Sequence, residues 1–234
     1  MSDNIDAKSW YNQFASKQVK TGQNLRHFTI LNKCVSYGLK KNSNVLEIGC
    51  GVGTLTSLLA DYLSSGSIVA TDISDESIEI AKKSTAKAND ISFYVHNMQD
   101  FSIDKKFDFV ILPDVMEHIP VSEHLGVFQS IFKHMKDDAL ILINSPHPKA
   151  LDHIREHFPD RLQVIDQSLI AGELINTAQK AGLNLVDYHS YGLYIEETDY
   201  TFIVFRKDQK INYTKKSVKQ VQIDKLKERS KLFI

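Results

Sequence analysis

Cysteine is almost absent from this chain: Cys34 and Cys50 are the two among 234 residues. That is too few for a disulfide framework, and Cys50 sits inside a glycine-rich turn, so a reducing, cytoplasmic setting is expected. No zinc-ligand spacing of Cys and His occurs, and no metal is expected. No apolar run approaches the ~18–20 residues a membrane-spanning helix needs, which argues against a membrane protein. The opening residues Met1–Asp6 lack the basic-then-apolar order of a signal peptide, so none is expected. Net charge is also nearly absent, at −1, and the chain as a whole has no basic excess for nucleic acid. Internal repeats and low-complexity runs are missing as well.

What is present is ordinary globular material, 42% hydrophobic and 24% charged, enough for one α/β domain with appendages. The charge is unevenly spread. Residues 206–234 hold ten Lys/Arg against three acids, +7, and the rest holds 18 against 26, −8. Such asymmetry fits a solvated tail, one docked on its own acidic body, or one that meets an acidic partner.

The chain is organised around Val45-Leu46-Glu47-Ile48-Gly49-Cys50-Gly51-Val52-Gly53-Thr54. An apolar run, three glycines at alternating positions and a second apolar segment (Leu55 to Leu63) give strand, tight turn, helix. Glycines let the backbone turn sharply and let a ligand approach, and the following helix aims free N–H groups at it. Asp72 stands nineteen residues after Gly53, at the tip of the next apolar run, where an acid suits a ribose with two free hydroxyls. A dinucleotide turn would need glycine at position 54, which is Thr54, and Glu47 beside the turn disfavours a pyrophosphate. A ligand with an amino group and a sulfonium fits better.

The segment Glu47-Ile48-Gly49-Cys50-Gly51-Val52-Gly53 closely resembles motif I of the class I S-adenosylmethionine-dependent methyltransferases. The resemblance continues through Asp72, the third-strand region Phe93 to Phe101, the fourth strand Phe107 to Leu112, and Val115-Met116-Glu117-His118-Ile119 after it, covering about residues 43 to 145. It implies a doubly wound α/β fold with a seven-stranded, mostly parallel sheet, an antiparallel C-terminal hairpin and an N-terminal helical lid. It implies S-adenosyl-L-methionine as cofactor and S-adenosyl-L-homocysteine as product. Glu47, Gly49, Gly51, Gly53, Asp72 and Ile73 then belong to the cofactor site. The family commonly has Asp at position 97; here Asn97 can still accept from the adenine amino group, with Asp100 as substitute and Met98 either beside the ring with a free N–H or a core filler.

Residues 1–42 are expected to form the lid: one helix with Ile5, Trp10, Phe14 and Val19, then a second from an Asn24 cap with Leu25, Phe28, Leu31, Val35 and Leu39 on one face. Tyr11, Arg26 and His27 are its candidate substrate residues; Arg26 has the fork to hold a carboxylate. The methyltransferase core is expected over 43–207, with a substrate-side insertion at about 149–167 that carries Arg155, and a basic tail over 208–234. Strands are expected at Ala139 to Ile143, Leu183 to Gly192 and Tyr200 to Phe205, and an amphipathic helix from Ser168 to Ala181 stopped by Gly182.

Methyl transfer from a sulfonium needs mainly positioning; a hydroxyl acceptor also needs a base, commonly His. His118 and then His147, both at the ligand edge of the sheet, are the candidates, each with a structural alternative. The leading expectation is O-methylation of a small molecule or biosynthetic intermediate of natural-product type. The alternatives are carboxylate methylation, including a peptide C-terminus, with Arg26 or Arg155 as clamp, and a non-catalytic cofactor-binding module. The Asn/Asp-Pro-Pro-aromatic run of base-amine methyltransferases is replaced by Leu112-Pro113-Asp114-Val115, which argues against nucleic acid. The acceptor and any oligomeric state are not encoded legibly.

Overall fold

A computed structural model describes residues 11, 15, 18–86, 90–210 and 213–231. The strands are β1 (Asn44–Ile48), β2 (Ser67–Asp72), β3 (Ile91–Val95), β4 (Phe107–Pro113), β5 (Met135–Pro146), β6 (Leu183–Tyr191) and β7 (Tyr200–Lys207). The helices are α1 (Leu25–Ser36), α2 (Thr54–Tyr62), α3 (Asp75–Ser84), α4 (His124–His134), α5 (Pro148–His157), α6 (Ala171–Lys180) and α7 (Val218–Lys231). All seven strands form one sheet in the order β3-β2-β1-β4-β5-β7-β6. The first five pair in parallel; β7 runs antiparallel to both β5 and β6.

Alternation along the central strands explains why both faces are covered. In β4, past an irregularity between Phe107 and Phe109, Val110 and Leu112 enter one core while Phe109 and Ile111 enter the other. In β7, Ile203 and Phe205 divide from Phe202 and Val204 in the same way. Successive side chains point to opposite faces, so a strand apolar on both faces needs helices on both sides. The first core is closed by Val127, Phe128 and Ile131 of α4 with Leu174 and Ala178 of α6. The second is closed by Ile30 and Cys34 of α1, Leu55 and Leu59 of α2 and Ile78 of α3. Each fully buried Phe or Leu contributes about 1.5–3 kcal/mol.

The antiparallel C-terminal hairpin closes the sheet as expected, with β7 buried along six consecutive residues between β5 and the largely half-exposed outer strand β6. One expectation is corrected. Helix α1 turns a different face inward. Leu25, Phe28 and Val35 are exposed, and Ile30 and Cys34 are buried. Arg26, Ile30 and Cys34 recur every four residues and share one face, so the pairing of Arg26 with Asp114 rotates that stripe inward. Periodicity alone cannot choose between two overlapping apolar stripes. The Asn24 cap is as expected: its side chain accepts from the Arg26 N–H at 3.1 Å.

The expected first helix falls partly outside the described residues; Tyr11, Ala15 and residues 18–21 are helical. Helix α7 buries none of its residues. Among the described residues no helix is long and apolar enough to cross a membrane.

Candidate active site

A cavity of about 910 Å³ opens at the C-terminal edge of the parallel strands, where ligands bind in open α/β sheets. Its volume lies near the top of the usual ligand-pocket range of roughly 300–1,000 Å³, which leaves room for a nucleoside cofactor and an acceptor together.

The glycine turn forms its floor. Gly49 has φ +74°, and a Cβ there would come within 2.3 Å of Val115 Cγ2. Gly51 has φ +52°, and a Cβ would meet the Gln18 carboxamide at 3.0 Å. Both positions combine left-handed backbone with close approach, the two conditions only glycine meets together. The Gly51 N–H donates to Asp72 Oδ2 at 2.8 Å and the Ser74 N–H to Oδ1 at 2.9 Å. Burial nevertheless raises the Asp72 carboxyl, against the backbone N–H groups of Ser74, Gly51 and Ile73. Glu47 is fully buried; Oε2 accepts from the Thr56 hydroxyl at 2.7 Å and Oε1 has no hydrogen-bond partner among the described residues. Burial pushes its carboxyl up to about 8. An orphaned buried carboxylate oxygen in a glycine-floored cavity fits a cationic ligand without phosphate, since a charged partner removes the cost of that orphan.

The opposite wall carries His118, at the end of the 3₁₀ turn Met116–His118 that follows β4. Its Nδ1 lies 2.6 Å from the Ile165 carbonyl and 3.1 Å from Asp166 Oδ1. A carbonyl can only accept, so Nδ1 carries the proton and Nε2 bears the lone pair of the neutral ring. Nε2 lies 3.9 Å from Glu117 Oε1. Burial alone would lower the His118 imidazolium, but the Asp166 hydrogen bond, the Glu117 charge and the Ile165 carbonyl outweigh it and hold it at about 9. Glu117 is itself fully buried, its carboxylate oxygens have no hydrogen-bond partner among the described residues, and that burial raises its carboxyl. The Tyr11 ring stands edge-on to His118, with centroids 6.1 Å apart, and burial raises its phenol.

Arg26 pairs with Asp114, whose other oxygen, Oδ1, accepts from Asn144 Nδ2 at 2.8 Å. Asn144 Oδ1 in turn accepts from the Tyr191 hydroxyl at 2.6 Å. The Asp114 charge, acting against burial, raises the Arg26 guanidinium further. His27 Nδ1 accepts the Asn24 N–H at 3.2 Å and completes a capping box; burial, then the Arg26 charge, lowers the ring to about 4.

Of the residues expected to bind, Glu47, Gly49, Gly51, Asp72, Ile73, Asn97, Met98, Tyr11, Arg26, His27 and His118 all line this cavity. Gly53, Asp100, His147 and Arg155 do not. Gly53 is the N-cap of α2 with φ +82° and packs against Ala81, so its role is in the turn. Asp100 is an exposed residue with φ +53°. His147 caps α5, its Nδ1 accepting the Lys149 N–H at 3.3 Å. Arg155 is engaged in the chain itself, with Asp152, Ser168 Oγ and the Asp166 carbonyl at 2.8 Å. The Met98 N–H is not free for adenine: it donates to His96 Nδ1 at 2.9 Å, and the side chain is 1% exposed in the core. Asn97 Oδ1 accepts from the Gln99 N–H at 3.0 Å. Sequence reading passed over Asp114 and Asp166. The first had a signal, an acid directly after β4; the second, far along the chain, had none.

A family profile described as a methyltransferase domain matches residues 22–188. The chain therefore belongs to that family, the S-adenosylmethionine-dependent class I methyltransferases. Among curated relatives, malonyl-[acyl-carrier protein] O-methyltransferase 1 of Ilyobacter polytropus is 28% identical over 65% of this chain and 57% of its own length. Nodulation protein S of Azorhizobium caulinodans is 26% identical over 64% of this chain and 74% of its own. The chain spans about half the length of the malonyl-[acyl-carrier protein] O-methyltransferases matched from Ilyobacter polytropus and Bacillus anthracis, 57% and 50%. Among solved structures, N-methyltransferase NodS of Bradyrhizobium japonicum in complex with S-adenosyl-L-homocysteine superposes with TM-score 0.66 at 18% identity, over 86% of this chain and 100% of that one. The CcbJ methyltransferase of Streptomyces caelestis gives 0.69 at 13% identity, over 88% and 100%. At these identities the superpositions establish the fold.

Proposed function

We propose that this chain transfers the methyl group of S-adenosylmethionine to a hydroxyl oxygen of a small-molecule acceptor, with His118 receiving the acceptor's proton. The observation that carries this is the fixed tautomer of His118, which puts the neutral ring's lone pair on Nε2 of a residue that lines the cavity. Bound S-adenosylmethionine would supply an activated methyl group, its sulfur keeping the electron pair of the C–S bond as the methyl passes to the acceptor oxygen. Asp72 would hold the ribose, and the unpartnered Glu47 Oε1 would face the cationic end. Arg26 and Tyr11 would border the acceptor, and Gln18, Thr21 and Gly22, among the described residues before α1, line the same cavity. Relatives named as O-methyltransferases support an oxygen acceptor. The two free, buried cysteines agree with a reducing, cytoplasmic setting.

A carboxylate acceptor is the second reading, because His118 at about 9 is largely imidazolium at neutral pH and stands in the same cavity as Arg26. A carboxylate needs no base and gains from cations. The pH–rate profile separates the two. Base catalysis predicts a rate that rises toward about pH 9 and then levels. A carboxylate held by the imidazolium predicts a rate that falls above it. Saturable cofactor binding without turnover on any hydroxyl, carboxylate or amine acceptor would instead leave a non-catalytic binding module.

A further inference from the structure

The segment between α5 and α6 lines part of the cavity and is tied to the turn that carries His118. The Gln167 N–H donates to the Glu117 carbonyl at 2.9 Å and Gln167 Nε2 to the Ile119 carbonyl at 2.7 Å. Gln163 and Ile165 line the cavity. Asp166 is placed from three directions. Its Oδ1 faces His118 Nδ1 at 3.1 Å, its Oδ2 accepts the Gln163 N–H at 2.6 Å, and its carbonyl accepts from Arg155 Nη2 at 2.8 Å. The Asp166 side chain is 9% exposed. We propose that Asp166 is the positioning residue of His118, and that Arg155 and the 149–167 segment serve to hold it there. Resting on the proton-acceptor reading of His118 above, this makes the insertion part of the proton-handling apparatus.

The physical argument is geometric first. A ring held at Nδ1 by a carbonyl and a carboxylate has one orientation and one tautomer, which fixes where Nε2 stands. The carboxylate also stabilises the imidazolium formed when a proton arrives. Among the described residues, the other titratable groups around the ring are Glu117 on its own turn, with Asp114 after β4 acting on Glu117, and Tyr11. None of these reaches Nδ1. Arg155, expected from sequence to clamp a substrate, instead fastens the loop that delivers Asp166.

The test is a ring-nitrogen NMR titration of the ¹⁵N-labelled full chain, with the His118 signal assigned by His118→Gln. Asp166→Asn should lower the His118 midpoint by on the order of one pH unit or more, and Asp166→Glu should return most of it. S-Adenosylhomocysteine affinity reports whether each variant is folded. An unchanged midpoint in a folded Asp166→Asn chain overturns the proposal. If that variant does not fold, Arg155→Ala decides: a smaller downward shift supports the proposal and an unchanged midpoint overturns it. The reading beneath it fails separately, if His118→Gln keeps full turnover with S-adenosylmethionine and a hydroxyl acceptor that the wild type methylates.

Discussion

Asp72 already receives two backbone N–H groups, from Gly51 and Ser74, before any ligand arrives. It therefore fixes the glycine turn as well as offering oxygens to a ribose. Asp72→Ala should weaken S-adenosylhomocysteine binding by about 1.5–3 kcal/mol for each charged hydrogen bond lost, measured by calorimetry; equal affinity would remove Asp72 from the site. His118→Ala should leave that affinity nearly intact and lower turnover by roughly 10²–10⁴-fold; a normal rate would make His118 structural. Asp72 and His118 could be placed at the cavity from sequence because one ends β2 and the other lies in the turn that follows β4, at the edge where open sheets bind ligands. His147 occupies the matching place after β5, yet its Nδ1 caps α5 and the residue lies outside the cavity lining. The same position after a strand serves a site or a cap, and the neighbouring backbone decides which.

At the level of elements, the glycine turn and the turn carrying His118 are in direct contact through Gly49 and Val115. Gly49→Ala would place Cβ 2.3 Å from Val115 Cγ2 and require φ +74° of a residue with a side chain. The strain costs about 1–3 kcal/mol, and relief must come from Val115, three residues before His118. The variant should lose thermal stability and turnover together; full retention of both would show the two turns to be independent. The strands and their parallel pairing were readable from apolar runs such as Phe107 to Leu112. The rotation of α1 was not, because apolar residues surround most of that helix and the Arg26–Asp114 pair selects the face. The place of β7 between β5 and β6 follows from no apolar pattern: it is a property of pairing, and β6 and β7 read alike as strands. The role of the 149–167 segment depends on contacts some 47 residues apart along the chain, between Ile165 and His118.

Across the whole molecule, the buried acids and His118 make folding depend on pH. Burial raises Glu47 from 4.5 to about 8, and His118 stands at about 9 against 6.5. Each holds a proton in the folded chain over a window in which the unfolded chain has lost it. Stability from both therefore falls as pH rises, between 4.5 and about 8 for Glu47 and between 6.5 and about 9 for His118. Urea denaturation of the ligand-free protein should give a stability lower near about pH 9 than near about pH 6, by on the order of a few kcal/mol. Glu47→Gln should flatten the lower part of that slope, and a flat wild-type profile would contradict the burial argument. A cationic ligand beside Glu47 stabilises its charged form, so saturating S-adenosylmethionine should also flatten it. The most direct measurement for the account as a whole is a crystal structure with S-adenosylhomocysteine bound. It should show the ribose hydroxyls on Asp72, the amino group toward Glu47 and the sulfur facing the pocket bordered by His118 and Arg26. A ligand seated elsewhere, or a sulfur turned away from His118, would contradict it.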